Sequence, residues 1–217
     1  MNADWYRKTT WTKADRERFF RFLGETEENH KSEYLRIQAV YLEKSGNIRY
    51  IREAVDLLDI LIEKYPDPLQ LAQAQLQKAT CFEKLALFDQ AVESYKESFD
   101  AQRLHPAAHT RAVYHFGYFV IRHQKSELYE NALEAIHEFY DENDMVFLDN
   151  AYRLHASLSI IYEFKKQIYE AVRHAKEALD LLERDRFGLM NNPHFAMELK
   201  TDKNVDKKLK KISNGQR

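Results

Sequence analysis

Apolar side chains recur at helical spacing along most of the chain. In one stretch they follow one another at intervals of one, three, three and one positions: Ala54, Val55, Leu58, Leu61 and Ile62. Side chains at this spacing form a single stripe along one face of a helix, which can then pack against a neighbour. Two prolines, Pro66 and Pro68, end the stretch, because a residue that precedes proline is sterically pushed out of the helical region. The pattern therefore predicts packed amphipathic helices separated by turns.

A short sequence pattern within residues 85–95 recurs three more times. In its clearest copy, Ala91 follows Phe88 by three positions and precedes Tyr95 by four. Consecutive copies are 37, 41 and 39 positions apart, and the alanines of the three looser ones are Ala54, Ala132 and Ala171. Self-similarity with a period of this length indicates stacked helical repeats, because a single repeat cannot bury its apolar face alone.

Each repeated alanine has a small counterpart on the predicted helix before it. The four pairs are Ala39 with Ala54, Ala79 with Ala91, Gly117 with Ala132, and Ser159 with Ala171. Small side chains allow two helix axes to approach closely. In two repeats an aromatic residue, Phe82 or Tyr162, also stands nine positions before the alanine. This combination resembles the tetratricopeptide repeat over residues 32–183, with longer turns in the first and third copies; another helix-hairpin array is the alternative.

The fold that this resemblance implies is all-α, a right-handed α-solenoid of about four tetratricopeptide-like helix hairpins. Residues 1–30 are predicted to form an aromatic N-terminal cap segment and helix, and residues 31–186 the repeat array. The repeats are assigned to residues 31–68, 69–105, 106–145 and 146–186, with Pro106 in the first turn of a helix. The last predicted segment, 187–217, is basic. It contains a break at residues 191–193, and spaced apolar residues such as Phe195 and Leu209 follow that break. Two structures are open for this segment, a final covering helix or a partly disordered tail.

The N-terminal segment concentrates aromatic residues, with Trp5, Tyr6 and Trp11 close together. Thr12 followed three positions later by Asp15 predicts a capping box and a helix that begins there. The aromatic side chains have two possible roles, to cover the open end of the first repeat or to anchor a partner. Covering is favoured, because terminal repeats need an atypical outer face. This opening, with residues 34–39, is also similar to a group of uncharacterised bacterial tetratricopeptide-like proteins.

Composition and charge limit the classes of partner. The 217 residues carry a net charge of −2, but seven Lys/Arg against two Asp from Lys200 onward leave residues 1–199 at about −7. An acidic body is a poor electrostatic match for nucleic acid, so none is predicted as a partner. No apolar run approaches the roughly 18–20 residues that a membrane span needs, and no signal-peptide core is visible, so a cytoplasmic protein without membrane contact is predicted. The lone Cys81 excludes an internal disulfide and is expected to be buried.

Sequence motifs that carry chemistry are missing from the chain. It has no phosphate-binding glycine loop, no His-Glu-x-x-His, no Cys-x-x-Cys and no nucleophile-elbow motif. His105 and His109 are the most closely spaced histidines, but Pro106 separates them, so they need not share a helical face. The prediction is a protein that is not an enzyme and that holds no metal or cofactor.

The tetratricopeptide resemblance implies that the first helix of each repeat lines a concave groove, where partners bind. Four candidates, at positions 111, 114, 118 and 122, step by three, four and four residues and so share one helical face. Arginine and tyrosine are also enriched at protein interfaces. Alternatively, the tyrosines pack between repeats and the arginines pair with neighbouring glutamates. The complete set of predicted partner-binding residues is Arg36, Gln77, Lys84, Arg111, Tyr114, Tyr118, Arg122 and Arg153.

The predicted function is a non-catalytic module that holds a protein or peptide partner, preferably an acidic one, on the concave face of a tetratricopeptide-like array. One alternative is an immunity-type inhibitor that neutralises a bacterial toxin by covering its active site. Another is an enzyme or an RNA-binding protein. Arg36, Arg111 and His115 lie near the positions of the family's carboxylate clamp, but Val40 and Gln77 replace its asparagines, so that clamp is not predicted. No oligomeric state is predicted.

Overall fold

The computed structural model describes residues 4–185 in full, the backbone of 186–191, Leu199 and residues 201–215. Every regular element in these ranges is helical, which confirms the predicted all-α class. Ten α-helices are described, with short 3₁₀ turns at Ser126–Leu128 and Glu142–Val146. The α-helices are α1 Lys13–Gly24, α2 Glu28–Lys44, α3 Ile48–Lys64, α4 Pro68–Lys84, α5 Phe88–Leu104, α6 Ala112–Arg122, α7 Tyr129–Phe139, α8 Leu148–Phe164, α9 Ile168–Asn191 and α10 Lys203–Ser213.

The chain forms two compact units, Met1–Ala112 and Val113–Arg217. In the first unit, α2 pairs with α3, α4 pairs with α5, and α3 also packs on α4. In the second unit, α8 pairs with α9, and α10 packs against both of these helices. Helices adjacent in sequence therefore pack against each other, as the repeat pattern predicts. Across the described ranges, no helix combines the length and apolar character that crossing a membrane requires.

The N-terminal aromatic residues form part of the core of the first unit. Trp5 and Trp11 are each only 7% exposed. The ring centroid of Trp5 lies 5.3 Å from that of Phe19 and 5.2 Å from that of Tyr34, while the Trp11 indole donates a hydrogen bond of 3.0 Å to Glu53. Of the two roles that the sequence offered, covering neighbouring helices is the one observed.

The predicted capping box at the start of α1 is confirmed. The Thr12 hydroxyl accepts from the Asp15 amide at 3.1 Å, and the Asp15 carboxylate accepts from the Thr12 amide at 2.9 Å. Hydrogen bonds from the Thr12 backbone and side chain stabilise the ionised carboxylate and lower the pKa of Asp15. Two helical N–H groups that would otherwise lack a partner are satisfied in this way.

The hairpin turns of both units share one backbone conformation. The second residue after the first helix of the pair adopts a left-handed conformation in all four described turns: φ is 70° at Gly46, 57° at Ala86, 54° at Gln124 and 63° at Lys166. In three of the turns an amide reaches back five residues to a helical carbonyl, Leu87 to Phe82 at 2.9 Å, Lys125 to Val120 at 2.8 Å and Gln167 to Tyr162 at 2.9 Å. This is the 6→1 bond of the Schellman motif, which satisfies carbonyls at a helix end. Three non-glycine residues are therefore held in a conformation that costs energy.

The repeated small residues are all buried where helices approach. The closest approach is direct in the last pair, because the Ser159 hydroxyl donates to the Ala171 carbonyl at 2.9 Å. Gly117 also lies close to α8. A Cβ at Gly117 would lie 3.0 Å from Ser157 Oγ on α8 and 3.6 Å from Ile136 Cδ1 on α7. The missing side chain at Gly117 thus makes room for α8, and its predicted pairing with Ala132 stays a prediction.

Two boundary predictions differ from the structure. Pro106 was expected in the first turn of a helix, but α6 begins at Ala112. The buried Gln102 side chain explains the difference, since its Oε1 accepts both the Thr110 amide at 3.1 Å and the Thr110 hydroxyl at 2.9 Å and so fixes residues 105–111 as a connection. The repeat array was expected to end at 186, but α9 continues to Asn191, where the predicted break begins. Asn192, Pro193 and Phe195 lie outside the described residues.

The basic C-terminal segment contains a helix rather than only a tail. Asp202 caps α10, accepting from the Asn204 amide at 2.8 Å. Val205, Leu209 and Ile212 are buried and lie on one face, at the spacing of an amphipathic helix. In the first unit, Cys81 is buried as predicted, and burial raises the pKa of its thiol above the usual range.

Candidate functional site

The predicted partner-binding residues fall into two sets, one in each unit. The first unit contains Arg36, Gln77, Lys84 and Arg111, and the second contains Tyr114, Tyr118, Arg122 and Arg153. Their environments differ from residue to residue. Each set is therefore described within its own unit.

Arg36 is a half-buried cation on α2 of the first unit. Its Nε donates a hydrogen bond of 2.7 Å to Oε1 of Gln70 on α4. In the described part of the chain, no carboxylate lies within ion-pair distance of its guanidinium. Burial lowers the pKa of Arg36, with the nearby Glu33 acting in the opposite direction. The guanidinium still stays charged, so the face holds a partly desolvated positive charge that is hydrogen-bonded to a neutral amide.

Gln77 lies beside Arg36 and is buried. Its Nε2 donates to the Arg36 carbonyl at 3.4 Å, while its Oε1 has no hydrogen-bond donor among the described residues. Oε1 of the buried Gln75, also on α4, is in the same position. A buried acceptor left in this way costs roughly 1–3 kcal/mol.

The other two cations of the first set are already engaged. Lys84 Nζ lies 2.7 Å from Oε1 of Glu43 on α2 and forms an ion pair with it. Arg111, in the connection before α6, is partly buried and makes contacts of its own. Lys84 is therefore paired with a glutamate of the chain itself.

Tyr114 is an internal residue of the second unit. Its side chain is fully buried, and its hydroxyl accepts from the Asp141 amide at 3.1 Å and donates to the Asp141 carbonyl at 3.3 Å. Burial raises the pKa of this phenol well above its ordinary value. Tyr114 therefore anchors the connection between α7 and α8, and the prediction that it offers surface to a partner is corrected by its burial.

Tyr118 is covered by the C-terminal segment of the same unit. The residue is 8% exposed, and its hydroxyl accepts a hydrogen bond of 2.8 Å from the Asp202 amide. Arg122, one turn further along α6, places its Nε 3.4 Å from Oδ2 of Asp202. Burial raises the pKa of Tyr118, while the bond from the Asp202 backbone acts in the opposite direction. Two predicted partner-binding residues thus bind one aspartate of the chain itself.

Helix α8 completes this face. Tyr152 packs edge-on to Tyr118 with ring centroids 5.9 Å apart, and its hydroxyl donates to Asp206 Oδ1 at 2.5 Å. The Arg153 guanidinium lies 6.0 Å from the centre of the Tyr118 ring, within cation–π range. We call the four residues Tyr118, Arg122, Tyr152 and Arg153 the Tyr118 face. The structure brings three predicted residues together here and adds Tyr152.

The acidic residues on the Tyr118 face, Asp202 and Asp206, were not identified from the sequence. They stand 80 or more positions away from α6 and inside a segment whose net charge is positive. A usable signal was nevertheless present, since Asp202 precedes apolar residues at helical spacing, including Leu209 and Ile212. An N-cap aspartate before such a stripe predicts a helix start.

A second feature missed by the sequence analysis lies within the α8–α9 hairpin. His155 Nδ1 and His174 Nδ1 are 2.8 Å apart, and Arg173 Nη2 lies 3.2 Å from His174 Nε2. Because arginine can only donate, Nε2 of His174 accepts and its Nδ1 carries the proton toward His155. Burial, with smaller contributions from His155 and Arg173, lowers the pKa of His174 to about 4. Burial also lowers the pKa of His155.

An open depression of mixed polar and apolar lining lies at the turn between α8 and α9. Its volume is about 590 Å³, and its lining residues are Tyr162, Gln167, Ile168, Tyr169, Glu170 and Arg173. Tyr169 is 80% exposed, and the neighbouring Phe164 and Ile168 are also exposed. The depression offers contact area, but two of its charged residues, Arg173 and Glu170, form an ion pair with each other at 2.5 Å.

A metal centre has no counterpart in the described ranges, where no group of three or more His, Cys, Asp or Glu side chains converges. Comparisons with protein-family models, with curated proteins and with solved structures give no match to this chain. Arg36 and the Tyr118 face are therefore the features of the structure that bear on function.

Proposed function

We propose that the chain is a non-catalytic protein-binding module of tetratricopeptide-like hairpins, whose arginine-bearing helix faces hold acidic polypeptide segments. The observation that supports this most is the contact of Arg122 and Tyr118 with Asp202. An aspartate at the start of a helix rests on residues that the sequence analysis had selected for partner binding. The second unit thus already holds an aspartate carboxylate on these residues, although the segment that carries it is basic overall. The number of repeats and the handedness of their stacking stay predictions.

The chemistry of the Tyr118 face suits such a segment. An arginine guanidinium can hold a carboxylate through parallel hydrogen bonds, and tyrosine offers both apolar area and a hydroxyl. Tyr118 uses its hydroxyl to accept from a backbone amide, whereas Tyr152 donates to a carboxylate. The face is therefore complementary to the first turn of a helix that has aspartate at its N-cap and again four residues later.

Arg36 supplies an open face of related chemistry in the first unit. Its guanidinium donates to the neutral amide of Gln70 and has no carboxylate partner among the described residues. A bound peptide can present a carboxylate to Arg36. Because the arginine is already partly desolvated, a carboxylate placed there forms a stronger pair than it would on an open surface.

The experiment is affinity capture from the native cell with the full chain, comparing wild type, Arg36→Gln and Arg52→Gln. Arg52 lies exposed on α3 and provides a control with the same loss of charge. We expect a partner that wild type and Arg52→Gln retain and that Arg36→Gln binds about tenfold or more weakly. Equal retention by all three proteins contradicts the assignment of Arg36. A captured toxin that loses its activity on binding makes the chain an immunity-type inhibitor.

A further inference from the structure

We propose that α10 is a displaceable intramolecular ligand, which occupies the Tyr118 face until an acidic amphipathic helix of a partner replaces it. The inference rests on the proposed function and adds the class of partner and its regulation. The second unit then exists in two states, one closed by α10 and one bound to the partner.

The contacts that hold α10 are of a kind that a foreign helix can reproduce. Its first turn supplies Asp202 to Arg122 and Tyr118, and Asp206 to Tyr152. Its buried face supplies Val205, Leu209 and Ile212. A helix that binds this site should therefore have aspartate at its N-cap and at the fourth position after the N-cap. It should have apolar residues at the third, seventh and tenth positions after the N-cap.

α10 is also poorly stabilised apart from its docking contacts. It has 11 residues, too few for a stable isolated helix, and residues 192–202 separate it from α9. Docking and folding of α10 are therefore coupled, so that the helix is either docked and ordered or released. Two of its ion pairs, Arg122 with Asp202 at 3.4 Å and Lys208 with Glu163 at 3.1 Å, are partly exposed, and pairs of this kind contribute little.

The outer face of α10 makes it a weaker ligand than a partner would be. Lys203, Lys207, Lys210 and Lys211 are exposed on this face, and none of the four pairs with a carboxylate in the part of the chain that the structure describes. They stand at i, i+4, i+7 and i+8, where like charges repel and weaken a helix. A helix with the same buried pattern but without these lysines keeps the docking contacts and avoids this repulsion.

The test uses the full chain and a fluorescein-labelled synthetic peptide of residues 201–215, with Lys203→Gln, Lys207→Gln, Lys210→Gln and Lys211→Gln in the peptide. Three proteins are compared by fluorescence anisotropy: wild type, Leu209→Ala and Asn204→Gln. Leu209 is fully buried, whereas Asn204 is an exposed, uncharged residue of the same helix. We expect Leu209→Ala to bind the peptide at least about tenfold more tightly than wild type, because weaker docking leaves the face open more of the time. Asn204→Gln should match wild type.

If Leu209→Ala keeps its helical circular dichroism and binds the peptide no better than wild type, the proposal is wrong. A variant that fails to fold leaves a second measurement on wild type, amide hydrogen exchange with and without saturating peptide. We expect the α10 amides to exchange before those of α8, and faster when peptide is present. Exchange of α10 only together with α8, unchanged by peptide, also overturns the proposal.

The result separates this inference from the proposed function. A captured partner that binds wild type and Leu209→Ala equally well supports the function and refutes displacement. Tight peptide binding by Leu209→Ala, without any captured protein that depends on Arg36, supports displacement and refutes the assigned role of Arg36.

Discussion

His155 and His174 share one hydrogen bond across the α8–α9 hairpin, with their Nδ1 atoms 2.8 Å apart. Only one proton fits between two nitrogens at this distance, so the pair is neutral in the folded state. Tyr162 stacks on His174 with ring centroids 5.7 Å apart, and Arg173 donates to the other nitrogen. A second proton would place a buried positive charge next to Arg173, with Glu177 as the carboxylate that favours it at His155.

Acid should therefore destabilise the second unit. The folded-state pKa of His174 is about 4, whereas a histidine in the unfolded chain has a pKa of about 6.5. The unfolded state takes up the proton more readily, so the stabilisation is complete above pH ~6.5 and is lost as the pH falls toward ~4. The expected loss in the free energy of unfolding is about 2–3 kcal/mol. Urea unfolding between pH 7 and 4.5 measures it, and His174→Gln should flatten this slope while the exposed His105→Gln should not.

The close approach of α4 and α5 predicts a penalty for a larger side chain. Ala91 on α5 and its predicted counterpart Ala79 on α4 are both fully buried, and the two helices pack against each other. Ala91→Leu should lower the free energy of unfolding by roughly 1–3 kcal/mol, because the added carbons must push packed helices apart. Lys96→Ala, at an exposed position on the same helix, is the control and should change it little. An Ala91→Leu protein as stable as wild type would mean that this pairing is not tight.

Glycine should stabilise two of the hairpin turns. Ala86 and Lys166 have φ values of 57° and 63°, where a side chain is strained and glycine is not. Ala86→Gly and Lys166→Gly should each raise the free energy of unfolding by about 0.5–1 kcal/mol, after the greater entropy of glycine in the unfolded chain is subtracted. Gly46→Ala, at φ 70°, is the reverse experiment and should be destabilising. Chemical denaturation measures all three, and a loss of stability in both glycine variants would contradict the account of strain.

Cofactors should leave the thermal stability of the chain unchanged. A ligand that binds only the folded state raises the melting temperature by mass action. Nucleotides, divalent metals and chelators should therefore produce no shift in the full chain, whereas the captured partner should produce one. A reproducible shift with a nucleotide or a metal would contradict the non-catalytic assignment.

Local patterns in the sequence predicted local structure well. The capping box at Thr12 and the burial of Ala54 and Ala91 depend on residues a few positions apart, which a helical period relates directly. The turn at Ala86 likewise follows from a motif of adjacent residues. The helices, and the packing of helices that are adjacent in sequence, could therefore be predicted from the sequence.

Contacts between residues far apart in the sequence could not be predicted in this way. Tyr118 presents the spacing of a surface residue, but Asp202, 84 positions later, covers it. Gly117 approaches Ser157, 40 positions later, and the side chain of Gln102 fixes the connection that contains Pro106. One helical period shows which residues share a face, whereas only the packed chain shows what that face touches.

The position of the tryptophans gives the protein a selective optical probe. Both tryptophans of the chain, Trp5 and Trp11, lie in the buried aromatic cluster of the first unit, and the second unit has none. Indole emission therefore reports the melting of the first unit alone, while far-ultraviolet circular dichroism follows the helices of both. Curves that coincide indicate one cooperative transition, and curves that separate show that the two units melt independently.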